Sequence, residues 1–167
     1  MVAAKDLVGK AAPKITLPDA NGEPYTLDPA AATKPIILFF YPAAFTYGCT
    51  KEACSFRDAL ANKPLYSGSS TQSGVQIIGV SPDTVEKQKS FVDQYKLTYP
   101  VLSDAKGEAS AAYGVGSGLF GLTAGRTTFI IEKGIVQDVH EGVLNYAAHE
   151  KFVSSWLEVR TTGAGSF

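Results

Sequence analysis

Pro35-Ile-Ile-Leu-Phe-Phe-Tyr41-Pro42-Ala-Ala-Phe-Thr46-Tyr-Gly-Cys49-Thr-Lys-Glu52-Ala-Cys54-Ser-Phe-Arg-Asp58 is the stretch from which the fold can be read. Its first part is a continuous apolar run bounded by prolines, without the polar alternation of a half-buried strand. Such a run fits a strand covered on both faces, central in a partly parallel sheet. The second part, Thr50 to Leu60, holds no Gly or Pro and sets Ala53, Phe56 and Leu60 on one face at helical spacing. A helix is therefore expected to open near Cys49, directly after the strand.

Working outward, Asn21-Gly22 lies between two short apolar runs within 15–27 and predicts an N-terminal β-hairpin. Downstream, Val75 to Val80 reads as another buried strand, and Ser81-Pro82-Asp83 as a turn able to cap a helix over Val85 to Tyr95. A short strand at Tyr99 to Leu102 and a short helix at Gly107 to Tyr113 follow. Arg126 to Glu132 and Ile135 to Glu141 predict a strand pair turning at Lys133-Gly134. The last helix, about Tyr146 to Arg160, carries Phe152, Val153, Trp156 and Leu157 on one stripe and turns Lys151, Glu158 and Arg160 to water. The tail from Thr161 to Phe167 is expected to fray. Strands separated by helices, then an antiparallel pair and a closing helix, predict an α/β fold. A thioredoxin-like topology, with a mixed central sheet flanked by helices, satisfies this order in one domain over residues 1–167.

Composition excludes several function classes. The 167 residues include 15 Lys+Arg and 16 Asp+Glu, a net charge of −1, with no basic run to follow a phosphate backbone. Nucleic acid is not an expected partner. The longest apolar stretch, Pro35 to Ala44, is interrupted by proline and far short of the roughly 20 residues of a spanning helix, so no membrane is expected either. Residues 1–13 hold no Arg and no continuous apolar segment, so the expectation is a cytoplasmic protein, with a nuclear location left open. Cys49 and Cys54 are the 2 cysteines, too few for a secreted disulfide framework or a four-cysteine zinc site.

Cys49 stands where a buried strand meets a helix. Backbone N–H groups and the positive end of the helix dipole there favour the thiolate, the nucleophilic form. Cys54 lies five positions on, which in an ideal helix separates the two Cα atoms by about 8.7 Å. A disulfide needs about 4.4–6.8 Å. The pair can therefore bond only if the intervening turn unwinds, unlike a Cys-x-x-Cys pair, whose thiols face each other across one turn.

Tyr41-Pro-x-x-x-Thr-x-x-Cys49 resembles the peroxidatic motif of the peroxiredoxins, and Cys49-Thr-Lys-Glu-Ala-Cys54 is similar to their Q-type, bacterioferritin-comigratory-protein branch. The resemblance runs on through Val80-Ser-Pro-Asp-Thr-Val-Glu, Leu102-Ser-Asp, Ala112-Tyr-Gly-Val115 and Arg126-Thr-Thr-Phe-Ile-Ile, covering roughly residues 7 to 158. It implies that Cys49 attacks the peroxide O–O bond to give a sulfenic acid, and that Cys54 resolves it to an intramolecular disulfide. It further implies that Thr46 hydrogen-bonds the peroxide, that Pro42 shields the sulfur, and that Arg126 approaches from the next strand, with Glu52 orienting it. Peroxides would be the substrates and thioredoxin or a similar dithiol the reductant. No metal, flavin or haem is implied, and the chain would work as a monomer.

Tyr47 departs from the pattern, since Q-type members commonly carry Pro there. The Gly-rich stretch 113–125 varies within the family, and its Leu119 and Phe120 read as a border of the substrate entrance. Gly116-x-Gly-x-x-Gly121 is not read as a dinucleotide site, because no strand leads into it. His140 and His149 read as surface residues of a strand and a helix. A thiol–disulfide oxidoreductase, a redox-sensing binding module and a structural zinc protein are the competing functions.

Overall fold

The computed structural model describes residues 3–68, 74–115, 126–142 and 146–162. Its elements follow in the order β1 (Ile15–Pro18), β2 (Pro24–Leu27), β3 (Ile36–Phe40), α1 (Tyr47–Asn62), α2 (Pro64–Ser67), β4 (Gln76–Ser81), α3 (Val85–Tyr95), β5 (Val101–Ser103), α4 (Glu108–Ala112), β6 (Thr127–Glu132), β7 (Ile135–Glu141) and α5 (Tyr146–Thr162). The main sheet is arranged β5-β4-β3-β6-β7. β3 runs parallel to β4 and antiparallel to β6, so the proline-bounded apolar run is the middle strand of a mixed sheet.

Strand periodicity divides that run between two layers. Ile37, Phe39 and Tyr41 pack toward α1, α3 and α5, with Phe56, Phe91, Val153 and Leu157. Ile36, Leu38 and Phe40 pack toward α4, the hairpin and the N-terminal segment, with Leu7, Leu17, Leu27 and Tyr113. All five residues of β3 are buried, which is why alternation is missing from its sequence. The hairpin forms as Asn21-Gly22 implies, with Pro18 opposite Pro24. The β6–β7 turn falls on Lys133 and Gly134, at φ 54° and 79°. Two consecutive positive φ values are the signature of a tight two-residue hairpin turn, and they explain the glycine.

The boundaries move in ways that matter for the site. α1 starts at Tyr47, two residues ahead of the expected opening near Cys49: Thr46 takes the extended backbone of an N-cap (φ −78°, ψ 155°) and places Cys49 inside the first turn. α3 is capped by Thr84, whose hydroxyl accepts from the Lys87 amide at 3.3 Å, not by the Ser81-Pro82-Asp83 turn. Asp83 is instead recruited by the Ala44 amide and the Ser81 hydroxyl, each at 2.7 Å. The short strand expected at 99–102 pairs over Val101–Ser103, and the final helix runs on to Thr162. Leu119 and Phe120 lie outside the described residues. No helix among the described residues is long and apolar enough to cross a membrane.

One close approach positions α1. A Cβ on Gly79 would lie 2.9 Å from Phe39 Cζ, so the Phe39 ring lies over this glycine of β4. The ring meets Phe56 of α1 at a 4.9 Å centroid distance and Tyr99 at 5.8 Å, and the Tyr99 hydroxyl donates to the Ala53 carbonyl of α1 at 2.7 Å. Gly79→Val would force that ring out of place, and its expected cost is about 1–3 kcal/mol. Urea unfolding of the variant beside wild type measures it.

Candidate active site

The site forms where the C-terminal end of β3 passes into α1. Cys49, Glu52, Ala53 and Phe56 are buried on one stripe of α1, so the thiol and a carboxylate three residues away both face the sheet. Arg126 immediately precedes β6, and the period of two puts Arg126, Thr128 and Ile130 on the same face of it. Helix stripe and strand face together bring side chains 77 residues apart into contact.

Arg126 Nη2 donates to Cys49 Sγ at 3.3 Å, and its Nη1 donates to Glu52 Oε1 at 2.8 Å. One guanidinium thus bridges sulfur and carboxylate. Cys49 is 0% exposed, Glu52 1% and Arg126 5%, so the bridge is dry and unscreened by solvent. Burial pushes the Glu52 carboxyl up to about 8, against the opposing pull of the Arg126 charge.

His149 completes this cluster and corrects its expected surface position, for it is 0% exposed. Its Nε2 lies 2.9 Å from the Gly142 carbonyl oxygen, which only accepts, so the proton is on Nε2. Nδ1 is then the acceptor for the Thr128 hydroxyl at 2.8 Å. Burial pushes the imidazole down to about 4, overcoming the bond to Gly142, with His140 and Arg126 adding to the fall. Glu52 Oε2 lies 3.5 Å from Nδ1 and finds no hydrogen-bond partner among the described residues. His149 was legible in outline: it stands four residues before Val153 and eight before Leu157, on the stripe that faces the core.

Pro42 and Thr46 occupy the loop between β3 and α1. Pro42 is half-buried and Thr46 exposed, with its hydroxyl donating to the Ala43 carbonyl at 2.8 Å. Phe45 takes a left-handed φ of 65°, a conformation that disfavours bulky residues, while its ring packs edge-on against Phe91 at 5.3 Å. Asp83 holds the loop from below through the Ala44 amide. The supporting roles of Asp83 and His149 are absent from the sequence reading. Tyr47, in place of proline, is the first residue of α1, where proline is also well tolerated; it is 71% exposed with Lys51 5.6 Å from its ring centroid.

Cys54 is half-buried further along α1, and both thiols are free. Burial pushes the Cys54 thiol above its ordinary value, with Arg57 and Lys51 opposing the shift and Asp58 adding to it. The helix is continuous between the two cysteines. Among the described residues no three His, Cys, Asp or Glu side chains are grouped to hold a metal ion.

Residues 8–139 match the AhpC/TSA family. The chain is 36% identical over 157 residues to the chloroplastic peroxiredoxin Q of Sedum lineare, covering 93% of this chain and 78% of that protein. The chain is a peroxiredoxin of the Q type. Its fold resembles peroxidoxin BcpB of Mycobacterium tuberculosis, with a TM-score of 0.77, 38% identity, and 91% and 96% of the two chains covered. It also resembles the bacterioferritin comigratory protein of Xanthomonas campestris, solved in a study of its alkyl peroxide reduction activity, with a TM-score of 0.73, 26% identity, and 87% and 91% covered. Peroxiredoxins are thiol peroxidases, and this chain is one of them.

The buried carboxyl makes stability depend on pH in this peroxiredoxin. Glu52 titrates near about 8 when folded, against an ordinary 4.5, so the folded state holds the extra proton across that window. Its contribution is complete at the acid end of the window and is lost as pH rises through about 8. His149, pushed down, contributes above its ordinary 6.5 and loses that as pH falls toward about 4, so it adds no slope above neutrality. Between pH 7 and 8 the reduced protein should lose roughly 1 kcal/mol through Glu52. Urea titrations at several pH values should show this slope in wild type and its removal in Glu52→Gln.

Proposed function

We propose that this peroxiredoxin reduces hydrogen peroxide and small organic hydroperoxides, with Cys49 as the attacking thiolate and Cys54 as the resolving thiol. The observation that carries the reading is the Arg126 guanidinium held between Glu52 and the Cys49 sulfur at a helix N-terminus. Its positive charge favours negative charge on sulfur, and its planar fork suits an oxygen that becomes anionic as the O–O bond breaks. In the reaction the sulfur pair bonds to one peroxide oxygen, the O–O bond breaks, and the other oxygen leaves as alkoxide or hydroxide to be protonated. Thr46 orients the bound peroxide, and Pro42 keeps bulk water from the sulfur. Burial of Cys49 favours small substrates over bulky thiols.

Cys54 then condenses with the sulfenic acid, releasing water, after the helical turn between the cysteines unwinds. Its raised titration suits a second nucleophile that acts only once the helix opens and exposes it. An intramolecular disulfide needs no second chain, so the enzyme works as a monomer and is recycled by thioredoxin or a similar dithiol.

Stopped-flow mixing of reduced protein with stoichiometric hydrogen peroxide, followed by mass measurement, tests this reading. The expected result is oxidation far faster than a free thiol and a product lighter by two hydrogens, with Cys49 joined to Cys54. Cys49→Ser should abolish turnover, whereas Cys54→Ala should stop at one turnover and accumulate sulfinic acid on Cys49. Arg126→Gln should slow the first oxidation by about 10²–10³-fold. A free-thiol rate in wild type would transfer the assignment to an oxidoreductase or sensor.

A further inference from the structure

The His149 imidazole approaches the one oxygen of Glu52 that Arg126 does not hold. With the proton on Nε2, directed at Gly142, Nδ1 carries no hydrogen; its single lone pair accepts from the Thr128 hydroxyl at 2.8 Å, and the same nitrogen lies 3.5 Å from Glu52 Oε2. An ionised Oε2 would face that lone pair with no donor of its own. A proton on Oε2 removes this repulsion between electron pairs, and Nδ1 accepts that proton once the Thr128 hydroxyl rotates away, since the nitrogen takes only one donor.

Charge counting in the same pocket leads to the same proton. The Cys49 thiolate and an ionised Glu52 would be two anions sharing one guanidinium, in a cluster whose members are at most 5% exposed. A surplus buried charge is costly, and the ordinary relief is to protonate one member of the pair. The nucleophile has to be the anion, which leaves the proton on the carboxyl. The other titratable groups about the pair leave this unchanged. His140 of β7 stands 4.7 Å from the His149 ring and opposes its protonation, and Tyr99, ahead of β5, is neutral and donates to the Ala53 carbonyl.

The geometry points to Glu52 and His149 as a proton store that exchanges charge with Cys49: Glu52 is an acid whose free oxygen faces His149 while the sulfur is anionic, and becomes the ionised partner of Arg126 when the sulfur is oxidised. This rests on the reading of Cys49 as the peroxidatic thiolate. The balance is Cys49–S⁻ plus ROOH plus Glu52–COOH giving Cys49–SOH plus ROH plus Glu52–COO⁻. Sulfur is oxidised by two electrons, the O–O bond is reduced, and the proton that the leaving oxygen gains equals the one Glu52 loses. His149 is a positioning residue here. It touches neither peroxide nor sulfur and acts through Glu52 and Arg126. Burial raises Glu52 and lowers His149, which independently places the proton on the carboxyl rather than the imidazole.

Infrared difference spectroscopy of the full chain, reduced against peroxide-oxidised, reads the exchange directly. The expected result in wild type is loss of one protonated carboxylic acid band and gain of carboxylate bands. The lost band should shift with ¹³C at the glutamate carboxyls and be absent in Glu52→Gln. The pH profile of Cys49 oxidation adds a readout that a purely structural histidine would not move. The rate should fall on the alkaline side as Glu52 ionises and shares Arg126, and this fall should be missing in Glu52→Gln. In His149→Phe, which removes the acceptor for the Glu52 proton, the fall should move to lower pH. Mass-verified oxidation of Cys49 with no change in any glutamate acid band overturns the proton store, whether or not the variants fold. So do identical alkaline limbs in folded wild type, Glu52→Gln and His149→Phe. Failure of Cys49 to oxidise overturns the peroxidatic reading itself, and mass spectrometry separates that outcome from the others.

Discussion

A permanently charged guanidinium with 5% exposure is the constraint around which this molecule is arranged. Arg126 cannot shed its charge, so its burial requires anionic or accepting partners at fixed positions. Among the described residues Glu52 supplies one such partner and Cys49 another, from successive turns of α1. Displacing α1 by a turn would leave a buried cation without its carboxylate. The contacts that hold α1 on the sheet, through Phe39, Phe56 and Tyr99, therefore also maintain the electrostatics of the thiol.

The same arrangement explains why so much polar chemistry lies beneath the surface. Thr128, His149 and Glu52 are each fully or almost fully buried, and the geometry of one sets the protonation of the next. The Gly142 carbonyl chooses the His149 tautomer, and that tautomer determines what Glu52 Oε2 meets. On the loop side, the Ser81 and Asp83 pair supports the Ala44 amide and the left-handed Phe45. Polar order thus surrounds the first turn of α1 from two directions.

Local sequence carried the fold, because its signals are short-range. The unbroken apolar run 36–40, the Asn21-Gly22 turn, the Lys133-Gly134 turn and the stripe through Phe152, Val153, Trp156 and Leu157 each express a period or a steric need of a few neighbouring residues. The motif from Tyr41 to Cys54 likewise named the family and the thiols, and the five-residue cysteine spacing on a helix was readable from helix geometry alone. The opening of α1 near Cys49 is legible to within two residues, whereas Thr46 is identified as the N-cap by its backbone, because its hydroxyl makes no cap bond and donates to Ala43 instead.

What tertiary structure alone decided is which polar side chains meet. The stripe through Val153 and Leu157 puts His149 on the core-facing side of its helix but says nothing of what it meets there; its partners Thr128 and Glu52 come from elements 21 and 97 residues away. Asp83, a turn residue by local pattern, became a support for the loop only when β4 was laid beside β3. Periodicity in one segment reports the face a residue occupies. It carries no information on the charge or hydrogen-bonding capacity of what lies opposite, because that depends on long-range pairing, and the pairing is settled by the packing of the whole sheet.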